Sequence, residues 1–539
     1  MKRQLYLLVA LVLTVSLLLA ACAKPAPSPT PKPPPAGTTP PTAAPAPKAS
    51  PTPPAPAAGT PQYGGVLKVA TGASPRSLAA VNNRIRNWFQ QPPYDTLLKL
   101  DEKGELQPNL ATSWKFSPDF KSITLTLRKG VKFHDGTDFN AAAAKFNFEI
   151  RKAAKMGDYE EVESISIIDD STVQLNLSKF NNTLLSAFWF IGGMMHSPAA
   201  FQKDGKDQAL WNPVGTGPFK FVKYNPNVDV RFERFDGYWE KGKPYLDGFH
   251  HVIIADATTR ELALRKGEVH AIESVGGNVA LALQKEGWPV LIGPPETYSG
   301  FAPDSANPES PLANKKVREA VEYAIDRPAI AKSLGYGFMV PLNQMAPPGT
   351  YPYDPTLKGR EFNPAKAKQL LAEAGYPNGF KMTFLTIFSI ADALVAAQTY
   401  LKEVGIDGTI DVADSGRYYS LTLSSGWKTG FAYRAPRMLP DWLTYANAEL
   451  SDPSVDLKST WRPADLKGLF DKTLTAPDAA SKKAAAQQVV RKISEEAVWI
   501  PLTAGNYIVA HNKNAHNIEY YVPWGPNKLW GPTEVWLSK

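Results

Sequence analysis

Between Ala23 and Pro61 the chain carries 16 prolines and no aromatic residue, with only Ala, Thr, Ser, Gly and three lysines besides. Proline fixes φ and removes a backbone donor, and nothing else in this stretch offers apolar surface to bury, so the segment cannot join a core. Proline at this density favours extended polyproline II, and some 40 residues at about 3.1 Å each reach on the order of 120 Å. It reads as a spacer, and a folded body must lie beyond it. That body has ample core material: 43% of the chain is hydrophobic and 20% charged, the balance of a soluble globular protein. At roughly 100 to 200 residues per domain, two or three domains are expected.

Before the spacer, Lys2 and Arg3 precede an apolar run from Leu5 to Ala21 that closes on small residues at Cys22. This is a signal-peptide layout; the run is interrupted by Thr14 and Ser16 and falls short of the roughly 20 apolar residues of a membrane span. Cys22 is the sole cysteine, so no internal disulfide can form. Leu19-Ala20-Ala21-Cys22 resembles the lipobox of bacterial lipoproteins, which implies cleavage before Cys22, acylation of its thiol, and a tether over residues 22–62. The formal charge is +8, but Lys2, Arg3, Lys24, Lys32 and Lys48 precede the body, which is nearly balanced. Without a basic face, nucleic acid is not an expected partner.

The body mixes strands and helices. "GGVLKVATG" from Gly64, "SITLTLRKG" from Ser122, "STVQLNLS" from Ser171 and "GFHHVIIAD" from Gly248 alternate as strands do, and "VWIPLTAGNYIVAHN" is a further strand. "NPAKAKQLLAEAGYPNG" predicts a helix capped by Asn363, with Pro364 at its first position, Leu370 and Leu371 on its buried face and Gly375 as its stop. "NKKVREAVEYAIDRPAIAKSLGYG" predicts a helix from Lys315 to Ala324 and a second capped by Asp326; another follows Asp478. No repeat period appears, so the chain reads as α/β or α+β with more than one sheet.

Catalytic chemistry finds no foothold. The seven histidines (His134, His196, His250, His251, His270, His511, His516) lack metal-binding spacing, and neighbours His250 and His251 on a strand point to opposite faces. "HDG" at His134 and the pair Asp169-Asp170 are turn signals, and no G-x-S-x-G occurs. "GTGPF" at Gly215 lacks the rest of a phosphate loop and suits a tight crossing. The chain is expected not to be an enzyme and to need no metal or cofactor. Its 13 Trp, 21 Tyr and 24 Phe would suit a core or a ligand cleft.

"YDTLLKLDEKGELQPNLATSWKFSPDFKSITLTLRKGVKFHDGTDF" from Tyr94, then "NPVGTGPFKFVKY", "YWEKGKPYLDGF", "ALRKGEVHA", "LANKKVREAVEYAIDRPAIAKSLGYG" and "FNPAKAKQLLAEAGYPNGF", resemble in order the family 5 extracellular solute-binding proteins, the peptide and nickel receptors of ABC importers. The resemblance implies a two-lobed, type II periplasmic-binding-protein-like α/β fold with an inserted subdomain. Lobe 1 would span 63–300, with the subdomain at about 96–210, and take back 506–539; lobe 2 would span 301–505. Crossings near Tyr298 to Phe301 and near Gly505 would form the hinge, with ligand held between the lobes.

In the peptide receptors of this family, a Trp followed three residues later by an Asp pairs the peptide's amino terminus. "SGWKTGFAYRAP" matches with Trp427 but has Gly430 at the Asp position, which argues against free-amine peptides, since a buried ammonium needs a counter-charge. Asp441 is a substitute if the alignment slips, and Arg434 and Arg437 raise the alternative of an acidic ligand, or are solvated loop residues. The expected cleft lining is Trp427, Tyr433, Tyr298, Phe301 and Trp442. Ala143, where the family commonly has Asp, implies a lost helix cap.

The implied function is an extracytoplasmic receptor, monomeric and anchored at Cys22, that captures an oligopeptide or similar organic solute and delivers it to an ABC permease and ATPase. The alternatives are a lipid-anchored surface receptor or scaffold without transport, and a secreted hydrolase.

Overall fold

A computed structural model describes residues 59–80, 88–101, 105–154, 159–387, 390–428, 430–436, 441–452, 456–521 and 531–539. Cys22, the signal segment, the proline run up to Ala58, and Arg437 lie outside the described residues.

Two sheets carry the architecture. The larger has eleven strands, ordered Ile406–Ala413, Phe380–Ile387, Gly430–Arg434, Val290–Pro303, Ile500–His511, Ala271–Glu273, Val66–Thr71, Gly248–Ile253, Asp229–Arg234 and Phe219–Asn225, with Met339–Pro341 pairing off Ile500–His511. The smaller is an antiparallel sheet of Ala111–Phe116, Ser122–Leu127, Thr172–Leu177 and Val162–Asp169. Every strand anticipated from alternation is present. In Ser122–Leu127, Ile123, Leu125 and Leu127 point into the core and the residues between them do not.

Helix ends follow their caps. Asn363 accepts from the Lys366 amide at 2.9 Å ahead of helix Pro364–Glu373, and Leu370 and Leu371 are buried. Asp326 caps Arg327–Gly335 and Asp478 caps Ala479–Glu495 in the same way. The expectation of a lost cap at Ala143 is corrected: Asn140 accepts from the Ala143 amide at 3.0 Å, so helix Ala141–Ala153 is capped one turn earlier in sequence. Asp169 accepts from the Ser171 amide in the hairpin turn. Gly215 is a tight crossing, since a Cβ there would sit 2.0 Å from the Pro93 carbonyl oxygen.

The apolar side chains segregate. One cluster, from Ala79 to Met195, covers the four-stranded sheet. A second gathers Leu67, Phe219 and Phe249 with Tyr507 and Val509 near the far end of the chain. Two more occupy opposite faces of the large sheet at its 380–434 end; both draw on strands 290–303 and 500–511. Those two long strands therefore run from one set of clusters to the other, and their pairing is broken by register shifts between Ile292 and Gly300. Bulges of this kind bend and twist a ladder locally.

Candidate functional site

Strands Val290–Pro303 and Gly430–Arg434 pair so that Gly300 faces Arg434, Phe301 faces Tyr433 and Ala302 faces Ala432. Side chains alternate across a sheet, and this register sorts the expected lining into two groups. Phe301 and Tyr433 stand on the face packed against helices Lys315–Ala324, Pro364–Glu373 and Ala391–Glu403, where Phe301 lies 5.2 Å from Phe431 and 5.6 Å from Tyr433 between ring centroids. This moves both residues from the expected lining into a hydrophobic core. Burial holds the Tyr433 phenol up at about 12.

Tyr298, Trp427 and Trp442 occupy the opposite face, together with Trp499. Trp499 approaches so closely that a Cβ on Gly300 would meet its indole Nε1 and the Ile500 carbonyl oxygen, each at 2.4 Å; only glycine fits there. Arg434 points to the same side. It is buried, donates to Thr422 Oγ1 at 3.2 Å and forms an ion pair with Glu449, which is 2% exposed on helix Trp442–Leu450. Burial pulls the guanidinium pKa down, but the Glu449 carboxylate outweighs it and the net direction is up. Arg434 is therefore neither a solvated loop residue nor an uncompensated cation awaiting an acidic ligand.

On this face several buried polar atoms have no hydrogen-bond partner among the described residues: Tyr298 Oη, Arg434 Nε, Glu449 Oε2, Trp442 Nε1 and Trp499 Nε1. Tyr298 and Trp499 rings stand 5.9 Å apart, and burial pushes the Tyr298 phenol well above its ordinary range. An unsatisfied buried group of this kind costs roughly 1–3 kcal/mol. Glu449 and Trp499 escaped the sequence reading. A lone acid on the apolar helix "WLTYANAEL", two turns from Trp442, was the signal that could have found Glu449.

Gly430 is no site for a carboxylate. It opens its strand at φ +147°, and a Cβ would sit 1.9 Å from the Thr383 carbonyl oxygen. The backbone at this position leaves no room for a side chain. Asp441 is occupied as well. It caps its helix through the Leu443 amide at 3.0 Å, accepts from Tyr351 Oη at 2.8 Å and pairs with Lys482. Burial raises its carboxyl, but the Lys482 ammonium and these bonds hold it below the usual carboxylate range. Trp427 donates from its amide to Ser459 Oγ and lines an open cavity of about 290 Å³ with Thr383, Leu385, Asp411 and Arg417 among its walls. The Arg417 and Asp411 charges there are paired with each other.

Elsewhere His134, His196 and His251 are buried and held neutral by desolvation, to about 4, 4 and 3. No group of three or more His, Cys, Asp or Glu among the described residues is placed to hold a metal ion. No helix among them is long and apolar enough to cross a membrane.

The family model "Bacterial extracellular solute-binding proteins, family 5 Middle" matches residues 105–448. The chain belongs to this family. It is 31% identical over 453 residues to the glutathione-binding protein GsiB of Escherichia coli (strain K12), covering 78% of this chain and 85% of that protein. Among solved structures it is similar to the ABC transporter-associated periplasmic binding protein DppA from Helicobacter pylori in complex with the peptide STSA, with TM-score 0.75, 25% identity, and coverage of 89% of this chain and 99% of that one. The substrate-binding protein CtaP of Listeria monocytogenes shares the fold at TM-score 0.77, with 23% identity, 89% of this chain and 100% of that one covered. The fold is thus that of the two-lobed type II periplasmic binding proteins, with the four-stranded sheet and its helices as a separate layer of structure.

Proposed function

We propose that this solute-binding protein is the extracytoplasmic receptor of an ABC importer for a short peptide or a peptide-like organic solute, anchored to its membrane by a lipid on Cys22. The observation that carries this reading is the mixed set of buried atoms on the Tyr298 face that find no partner among the described residues. Tyr298, Trp442, Trp499 and Arg434 offer donors and Glu449 offers an acceptor. A peptide main chain presents the complement, carbonyl oxygens for the donors and N–H or ammonium groups for the carboxylate. A free-amine ligand is therefore compatible with this chain, with Glu449 in place of the carboxylate sought at position 430. GsiB, a glutathione-binding protein, and DppA, in complex with the peptide STSA, support the same solute class.

In this reading residues 63–300 with 506–539 form one lobe, including the subdomain of about 96–210, and 301–505 the other. They close about the crossings near Tyr298 to Phe301 and near Gly505, and solute contacts made only in the closed state shift the population toward it. An importer permease and ATPase then take up the solute from the closed form. Denaturing the purified protein and identifying the released solute by mass spectrometry tests the reading. Stoichiometric recovery of peptide-bonded compounds supports it; turnover of a solute to product by the native protein overturns it in favour of a hydrolase.

A further inference from the structure

Two adjacent asparagines at the start of helix Thr183–Phe188 have different duties. Asn181 serves its own helix: its Oδ1 accepts from the Thr183 amide at 2.9 Å and from Thr183 Oγ1 at 2.8 Å. Asn182 is thereby released from capping at home, and it makes no cap bond to the helix it precedes. Its side chain, 9% exposed, reaches instead to the end of a helix almost 300 residues further along, Leu466–Leu474. Nδ2 donates to the Thr473 carbonyl at 2.7 Å and to the Ala476 carbonyl at 3.2 Å, and the Asn182 amide donates to the Leu474 carbonyl at 2.9 Å.

The last carbonyls of a helix have no partner within it and must be satisfied from outside. Here part of that duty falls to a residue from a different hydrophobic cluster. Leu184, Ala187 and Phe188 belong to the cluster on the four-stranded sheet, whereas Leu466, Phe470 and Leu474 belong to the cluster around Tyr298 and Trp442. One turn along, Ser186 Oγ donates to Asp441 Oδ2 at 3.3 Å, joining the Lys482 and Tyr351 network on the same far side. The two sides are thus fastened by directional polar bonds.

Resting on the two-lobed receptor reading above, we propose that Asn182 is a closure latch: by capping helix Leu466–Leu474 across the cleft it holds the closed arrangement and slows release of the solute. The bonds exist only when the subdomain and lobe 2 meet, so they weight the closed state directly. When the lobes part, water takes over both the carboxamide and the helix carbonyls, and the cost of opening is the difference between the two sets of bonds. Each net hydrogen bond changes such an equilibrium by roughly two- to tenfold.

Hydrogen exchange of the full chain at the amide of residue 182 reads the latch, because among the described residues that N–H is bonded to the Leu474 carbonyl on the far side. It is measured without solute and with millimolar reduced glutathione or the peptide STSA as probes. The amide of the native chain is expected to be protected, and Asn182→Ala to raise its exchange about tenfold while the amides of strand Phe380–Ile387 keep their rates. Asn182→Asp, which turns a carboxylate on the Thr473 and Ala476 carbonyls at the negative end of a helix, should raise it at least as much. Asn181→Ala should loosen the Thr183 amide and leave residue 182 protected. Equal protection at 182 in the native chain and Asn182→Ala, or an unprotected amide in every condition, overturns the latch. Protection that is lost in Asn182→Ala but responds to neither probe upholds the latch and counts instead against a peptide-type solute.

Discussion

Replacing Glu449 by Gln removes a charge while keeping shape and one acceptor, and it isolates the role of the Arg434–Glu449 pair. Both side chains are almost fully buried, at 7% and 2% exposure. In Glu449→Gln the guanidinium keeps the Thr422 hydroxyl at 3.2 Å and the face of Tyr418 at 5.9 Å, but loses its only ion-pair partner among the described residues. Stranding one member of a buried pair costs about 3–5 kcal/mol, against roughly 0–1 kcal/mol for an exposed one. The surviving hydroxyl and ring contacts place the expected loss near the lower end, about 3 kcal/mol. Urea unfolding followed by tryptophan fluorescence measures it as a lower midpoint with an unchanged slope. The double replacement Arg434→Met with Glu449→Leu removes the charge together with its partner and should recover most of the loss. A Glu449→Gln midpoint within error of the native one, or a double variant worse than the single, would refute the pairing as the reason Arg434 is tolerated in the interior.

Asp95 gives a pH signature. Burial pushes its carboxyl from 3.8 to about 7, against the bonds from Trp239 Nε1 at 2.8 Å and Tyr238 Oη at 3.2 Å. The folded chain therefore holds a proton between about pH 4 and 7 that the unfolded chain has released, and stability falls as pH rises through this window. Asp95→Asn should be stabilised relative to the native chain by on the order of 3–4 kcal/mol at pH 8 and by little at pH 4, read from melting temperatures at the two pH values; a native-like pH profile in the variant would refute it. Gly430→Ala forces a Cβ to 1.9 Å from the Thr383 oxygen at a φ that side chains avoid, and should cost several kcal/mol or abolish soluble expression. Normal thermal stability of that variant would restore position 430 as a candidate for ligand contact. Cys22→Ala should release the protein from membranes, seen by fractionation, with solute affinity unchanged; retention of a processed, unlipidated form would contradict the anchor.

Elements whose signals are local were legible in the sequence. Asn363, Asp326 and Asp478 start helices because an Asx side chain accepts from an amide two or three residues on, which needs no tertiary information. At helix Ala141–Ala153 the family's usual Asp at position 143 is dispensable, because Asn140, three residues before it, satisfies the same turn. The site was legible in part. Aromatic residues near the crossing strands were found, but which of them share a face depends on the Phe301–Tyr433 register, a contact between positions more than 100 residues apart. The same non-local pairing hid the reason for Gly430. Glu449 and Trp499 meet Arg434 and Tyr298 only after three separate segments assemble, so spacing alone could not join them.

The most direct test of the central claim is calorimetric titration of the purified, solute-stripped full chain with reduced glutathione and with STSA, alongside Glu449→Gln. Saturable binding of one of these solutes at one site per chain, weakened in Glu449→Gln with no product formed, is the predicted result. Absence of heat for both, combined with no solute released from the unstripped protein, would contradict a receptor for peptide-like solutes.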